Sequence, residues 1–313
     1  MAEKMNIRKY EIFLKVTELG SITRAAEALE TTQSGVSHAI TTLEEDFGFT
    51  LFARSRNGVT LTDAGERIIP TVRAIINYNE RLEQTVASIH GLNAGTVRIG
   101  TFTSVAVHWL PGMIKSFQDK YPNIEFRLLN GDYYDVDVWL SEGAIDIGFV
   151  TLPFEQKGCE IIPLAEDRLL AILPPEHPLA GAGTFPIEKA RSEPFIGLLE
   201  SSDHDARRAL EAAGIKPNLK FSTKDDYAIL AMVENGLGMS IVPELLISGR
   251  NDRLAVLPLD PPATRTLALA VASFETASPA TKCFAEHVKA WVGERFRAVR
   301  GLPDAQILSE DVN

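Results

Sequence analysis

The chain of 313 residues carries 31 Lys and Arg against 42 Asp and Glu, a net charge of −11, and 45% of its residues are hydrophobic. That length exceeds one ordinary domain, and that composition excludes a wholly disordered or collagen-like chain. The two cysteines, Cys159 and Cys283, lack the near neighbours of a disulfide scaffold, zinc knuckle or CxxC pair, so no metal or other cofactor is expected. The opening MAEKMNIRKYEIFLKV is charged throughout and no stretch reaches the length of a transmembrane helix, so the expected setting is cytoplasmic, with no membrane partner.

The first sixty residues read as three short helices and a hairpin. Ile7, Phe13, Val16 and Leu19 recur at helical spacing and stop at Gly20, a natural left-handed terminator. Ser21 or Thr23 caps a second helix whose inward face is Ala25, Ala26 and Leu29. After Thr31 and Thr32 a third helix begins near Gln33, with Val36, Ile40 and Leu43 inward and Ser34, Ser37, His38 and Thr41 outward. This is a tight helix-turn-helix whose second helix suits a major groove. LFARSRNGVTLT then places two short apolar strands around Asn57-Gly58, a hairpin signal read here as a wing.

From Thr62, a good N-cap, one long helix is expected to about His90, kinked by Pro70. Ile68, Ile75, Leu82 and Ile89 repeat every seven residues, with Val72, Asn79 and Val86 between them. Such a seam dimerises helices, and a polar Asn79 within it fixes register; the competing reading is a helix packed on its own domain. Gly91 to Gly95 breaks the helix as a hinge. Beyond it, strands and helices alternate in two cycles, TVRIGTF to DIGFVTL and RLLAILP to GMSIVP, followed by LALAVAS and a closing helix from about Pro279 to Arg297. The order implies two α/β lobes with parallel strands and a cleft at the strands' carboxyl ends. The expected divisions are 1–61, 62–90, 91–300 and a polar tail, 301–313.

The stretch from Phe13 to Glu66 resembles the winged helix-turn-helix of LysR-type transcriptional regulators. The likeness lies in Ser-x-Thr-x-Ala-Ala, Gln-Ser-x-Val-Ser, Leu-Glu-x-x-x-Gly, Leu-Phe-x-Arg and Leu-Thr-x-Ala-Gly. GTVRIGTF, DIGFVT, EHPLA and NGLGMSIVP are similar to the same family's periplasmic-binding-protein-like effector domain. The resemblance implies an α+β multidomain chain: winged helix-turn-helix, long linker helix, then a two-lobed α/β domain. It further implies a homodimer or homotetramer on double-stranded promoter DNA, with a small-molecule effector between the lobes altering DNA binding or bending.

Carried over by position, Thr32, Gln33, Ser34, Ser37, His38 and Thr41 belong to the DNA-facing helix, and Arg54 and Arg56 reach phosphates or the minor groove from the wing. Gln suits adenine edges, Ser suits base or phosphate, and Arg neutralises backbone. The sequence departs from the family in lacking a basic residue at 38, and no Lys or Arg occurs between Arg24 and Arg54. Residues 1–90 hold 10 Lys and Arg against 12 Asp and Glu, so most of the acidity lies downstream.

For the cleft, Thr103 and Ser104 follow a strand at a helix start, where hydroxyls and free N–H groups suit an anion such as a carboxylate. Thr151, Ser201, Ser202 and Thr223 stand at equivalent strand ends, each also readable as an ordinary cap. His204 offers a further donor, and Tyr133, Tyr134, His108 and Trp109 line either the pocket or the core. No GxSxG, HExxH or nucleophile with a base appears, so an enzyme is not expected. A thiol switch between Cys159 and Cys283 and a pure solute-binding protein are the alternatives, the latter disfavoured by the helix-turn-helix.

Overall fold

A computed structural model describes residues 7–55, 58–89, 94–156, 158–199, 205–249 and 253–300. The chain divides into two compact units, Met1–Leu92 with Ser141–Ala144, and Asn93–Leu140 with Ile145–Asn313.

In the first unit, α1 (Ile7–Leu19), α2 (Ile22–Ala28) and α3 (Gln33–Phe47) precede β1 (Phe52–Ser55), β2 (Gly58–Leu61) and α4 (Asp63–Ile89). Ser21 caps α2 by accepting from Arg24 N, and Thr32 caps α3 by accepting from Gly35 N at 3.1 Å. Phe13, Val16, Ala25, Val36, Ile40 and Leu51 form the fully buried centre. Glu44 fastens the strands to this core, its Oε1 accepting from Leu51 N and Phe52 N. β1 and β2 pair antiparallel with Ser55 opposite Gly58, and the two residues that join them, Asn57 of the expected turn among them, lie outside the described residues. Gly65 lets α4 begin against that hairpin: a Cβ there would stand 2.4 Å from the Leu51 carbonyl oxygen.

Helix α4 starts at its Thr62 cap, whose Oγ1 accepts from Gly65 N at 3.0 Å, and runs without interruption through Pro70. Its apolar residues have two fates. Ile69, Val72 and Ile76 are buried in the core of their own unit, with Ile68 and Ile75 packed against it, whereas Tyr78, Leu82, Val86 and Ile89 are exposed. The seven-residue repeat thus merges two surfaces: its first half closes the helical core, and Val72 is spent there rather than held open for a partner. Asn79 Nδ2 donates to Glu83 Oε1 one turn on.

In the second unit, β3 (Gly95–Thr101), β4 (Ile124–Asn130) and β5 (Ile147–Leu152) are parallel, interleaved with α5 (Thr103–His108), α6 (Leu110–Gln118) and α7 (Tyr133–Ser141). The chain then crosses on β6 (Glu160–Leu173). The second lobe follows: β7 (Phe185–Pro186), β8 (Pro194–Leu198), α8 (Asp205–Ala212), β9 (Asn218–Thr223), α9 (Asp226–Glu234) and β10 (Ser240–Pro243). It returns on β11 (Ala255–Val271) and ends in α10 (Pro279–Arg300).

The main sheet runs β10-β6-β11-β5-β3-β4, with β7 beside β11, and β8 and β9 form a separate parallel pair. The expectation of a parallel arrangement throughout needs correction, because β11 is antiparallel to both β5 and β6, and β10 to β6. β6 and β11 span 14 and 17 residues and traverse both lobes. The sequence patterns RLLAILP and LALAVAS mark only their apolar halves; Pro163, Pro258, Pro261 and Pro262 obscure the rest. Phe117, Phe149, Phe284 and Val288 centre the core of the first lobe, and Phe185, Phe195, Leu210 and Met239 lie in one core of the second.

Candidate functional site

Two surfaces carry chemistry. On α3, Val36, Ile40 and Leu43 turn inward, so helical geometry leaves Gln33, Ser34, His38 and Thr41 exposed and Ser37 half-buried on the other side. Thr32, also exposed, spends its hydroxyl on the cap and stands 3.2 Å from Ser34 Oγ. The stripe is polar and holds no Lys, Arg, Asp or Glu. Arg54 has its backbone in β1, and Arg56 lies outside the described residues.

The second surface is a cavity of about 480 Å³ between the lobes of the second unit, reached by Thr103 and Ser104 from one side and Asp205 and Asp226 from the other. Its floor is Arg265, contributed by β11 and almost wholly buried. The guanidinium donates from Nε and Nη2 to Asp167 Oδ2 at 2.9 and 2.7 Å, and from Nη2 to Ser104 Oγ at 2.8 Å. Nη1 donates to Tyr133 OH at 2.7 Å and to Asp205 Oδ2 at 3.4 Å. Tyr133 OH in turn donates to Asp205 Oδ2 at 2.5 Å, and the Phe102 ring lies under the guanidinium, 5.4 Å away.

Burial works against the charge on Arg265, but Tyr133, Asp167 and Asp205 outweigh it and hold its pKa above the ordinary arginine value. Burial raises the Asp167 carboxyl, against the pull of Arg265 and of the Leu245 N–H it accepts. Burial also raises Asp226, aided by Asp225 and opposed by the Thr103 hydroxyl and Arg265. Asp132, Asp135, Asp205, Asp225 and Asp226 line the cavity against two cations, Arg265 and Lys224, and the exposed Lys224 Nζ stands 4.0 Å from Asp132.

The structure brings Thr103, Ser104 and Tyr133 to this cavity. Thr151 is buried on β5 and Thr223 has its hydroxyl turned to Asp225 N, and neither belongs to the lining. Their strands end near the lobes' junction, but these side chains serve the sheet and a turn. Ser201, Ser202 and His204 lie outside the described residues. Tyr134 is exposed, Trp109 is core, and His108 Nε2 pairs with the Leu246 carbonyl at 3.2 Å. Sequence reasoning missed Arg265, Asp167, Asp205 and Asp226; the available signal was one arginine set into the apolar run TRTLALA. Cys159 and Cys283 are both half-buried free thiols, and burial, then Asp137, push the Cys159 pKa up.

Residues 7–66 match the profile of the bacterial regulatory helix-turn-helix protein, lysR family, and residues 90–293 match that of the LysR substrate binding domain. The uncharacterised HTH-type transcriptional regulator YvbU of Bacillus subtilis is 35% identical over 295 residues, 92% of this chain and 99% of that protein. The HTH-type transcriptional activator CmpR of Synechocystis is 28% identical over 260 residues, 81% of this chain and 84% of its own length. A full-length OxyR variant from Pseudomonas aeruginosa shares the fold with a TM-score of 0.73 at 20% identity, over 93% of this chain and 95% of its own. Full-length CbnR complexed with its target DNA does so with a TM-score of 0.66 at 22% identity, over 92% and 100%.

Proposed function

Because the chain belongs to the LysR family of DNA-binding transcriptional regulators, we propose that α3 reads promoter DNA and that a small molecule bound between the lobes of the effector domain adjusts that binding or the bending of the DNA. The observation that carries the reading is the pairing of an exposed polar stripe on α3 with a cavity between the lobes of the second unit. Gln33, Ser34 and Ser37 present donors and acceptors of the kind that read base edges. With no cation on α3, phosphate contact falls to Arg24 and the wing, and the salt dependence of an isolated DNA-binding domain is shallow.

Dimerisation through the exposed second half of α4, where Leu82, Val86 and Ile89 are uncovered, supplies the two copies that paired half-sites require. A homodimer, or a tetramer built from two, follows from this reading.

The redox alternative loses support from Cys159, since a thiol pushed up by burial is a poor nucleophile. An anionic effector also loses support: Ser104 already accepts from Arg265, Thr103 is hydrogen-bonded to Asp226, and aspartates outnumber cations around the cavity.

The test uses duplexes selected from random DNA by the full-length protein. Gln33→Ala with Ser37→Ala weakens binding to the selected sequence far more than to random DNA; equal losses on both refute base reading. Leu198→Trp, which obstructs the cavity, abolishes regulation of a reporter while leaving DNA mobility intact; unchanged regulation removes the cleft from the mechanism.

A further inference from the structure

The cation at the floor of the cleft has no donor left to give. A guanidinium carries five N–H bonds, and those of Arg265 go to Asp167 twice, to Ser104, to Tyr133 and to Asp205. An anionic ligand would have to break one of these buried bonds to reach it. The second cation, Lys224, is two-thirds exposed and stands beside Asp132, so it offers an anion little more than a screened surface charge.

The carboxylates are not equally occupied. Asp132 and Asp135 each accept the other's backbone N–H at the start of α7, and Asp225 caps α9 through Tyr227 N and Ala228 N. Asp205 differs. Its side chain is only 6% exposed, its Oδ2 receives both Tyr133 and Arg265, and its Oδ1 is buried with no hydrogen-bond partner among the described residues. A buried carboxylate oxygen left unpaired is expensive, and the oxygen belongs to a residue lining the cavity. Two aspartates, 167 and 205, share the single charge of Arg265, so carboxyls outnumber cations at this wall, and Asp226 adds another. Phe102, Phe195, Leu198, Val242 and Leu246 add apolar surface to the same lining.

We infer that the cleft takes an organic cation: a primary ammonium drawn to the Asp205 carboxylate, whose unpaired Oδ1 turns from its buried position to accept from it, with Asp226 as a further acceptor, on a ring or aliphatic body that packs against the apolar lining. A cavity of about 480 Å³ holds a metabolite of modest size. The assignment rests on the cleft being the effector site and replaces the carboxylate expected there by the opposite charge.

Three probes of nearly equal shape separate the possibilities: benzylamine, benzyl alcohol and benzoate, each titrated against the full-length protein while its thermal unfolding is followed. Benzylamine raises the melting temperature in a concentration-dependent way, by about 3 °C or more at saturation, and the other two do not. Asp226→Asn weakens the benzylamine response by about tenfold or more, and Asp205→Asn removes it. Should Asp205→Asn fail to fold, the Asp226 variant carries the comparison. A response to benzoate alone, an equal response to benzyl alcohol, or no response to benzylamine overturns the ammonium assignment. The effector reading itself stands or falls separately, on the Leu198→Trp reporter result.

Discussion

Arg265 and Asp167 are register partners on β11 and β6, and their side chains close a buried ion pair at 2.7 Å midway along the two strands that join the lobes. From this point the guanidinium reaches Ser104 and Tyr133 of the first lobe and Asp205 of the second. Arg265→Met strands two buried carboxylates and costs about 3–5 kcal/mol in urea unfolding of the effector domain. Arg265→Lys keeps the charge but not the planar fork, so its loss is intermediate. A loss below about 1 kcal/mol for the Met variant would mean that water replaces the guanidinium.

Asp226 is raised by burial, so between its unfolded and folded pKa values the folded state holds more protons. Stability therefore falls as pH rises through that window, so the carboxyl is a net cost to the free protein above it. Asp226→Asn unfolds at a higher temperature than the wild type near pH 7, and the gap closes as pH drops below about 4. Melting curves across that range check the sign; a variant less stable at neutral pH contradicts it.

Gly65→Ala drives a Cβ to 2.4 Å from the Leu51 carbonyl oxygen, a backbone atom that cannot swing aside. The expected cost is about 1–3 kcal/mol in the first unit, with weakened DNA binding. Gly48→Ala is the contrast: its Cβ meets nothing within 4 Å, and only the left-handed φ of 78° opposes it. About 1 kcal/mol is expected there. Denaturation of the two variants in parallel separates a steric cost from a conformational one.

Helix α4 predicts a split phenotype. Leu82→Asp and Ile89→Asp, at positions 63% and 78% exposed, leave the secondary structure intact while light scattering reports a smaller species. Val72→Asp buries a charge in the core of the first unit and costs several kcal/mol, seen as lost helicity. Unchanged assembly in the first two variants moves the interface elsewhere.

The helix-turn-helix was legible because its signals are local: Ser21 as a cap, Ala25 and Ala26 as the close face, Val36, Ile40 and Leu43 as the inward stripe. The seam on α4 was legible as a repeat but not as two surfaces, because a period does not say which partner covers it; Val72 and Leu82 look alike until Phe13 and Val16 need a lid. In the cleft, Thr103 and Ser104 announced themselves by following a strand at a helix start. Asp167, Asp205 and Arg265 did not, since nothing local reveals that residues 60 and 98 positions apart share one guanidinium.

The long antiparallel pair of β6 and β11 has a further consequence for modularity. Everything from Arg168 to Thr264, the whole second lobe, is threaded between Asp167 and Arg265, whose Cα atoms in such a pairing stand about 4.5–5.5 Å apart. The excursion departs and comes home at one spot, as a domain inserted into another does. Its two ends fit the ends of a tight hairpin, so this lobe is a cassette: it can be excised with a short turn in its place, or exchanged for that of a relative, without rerouting the first lobe.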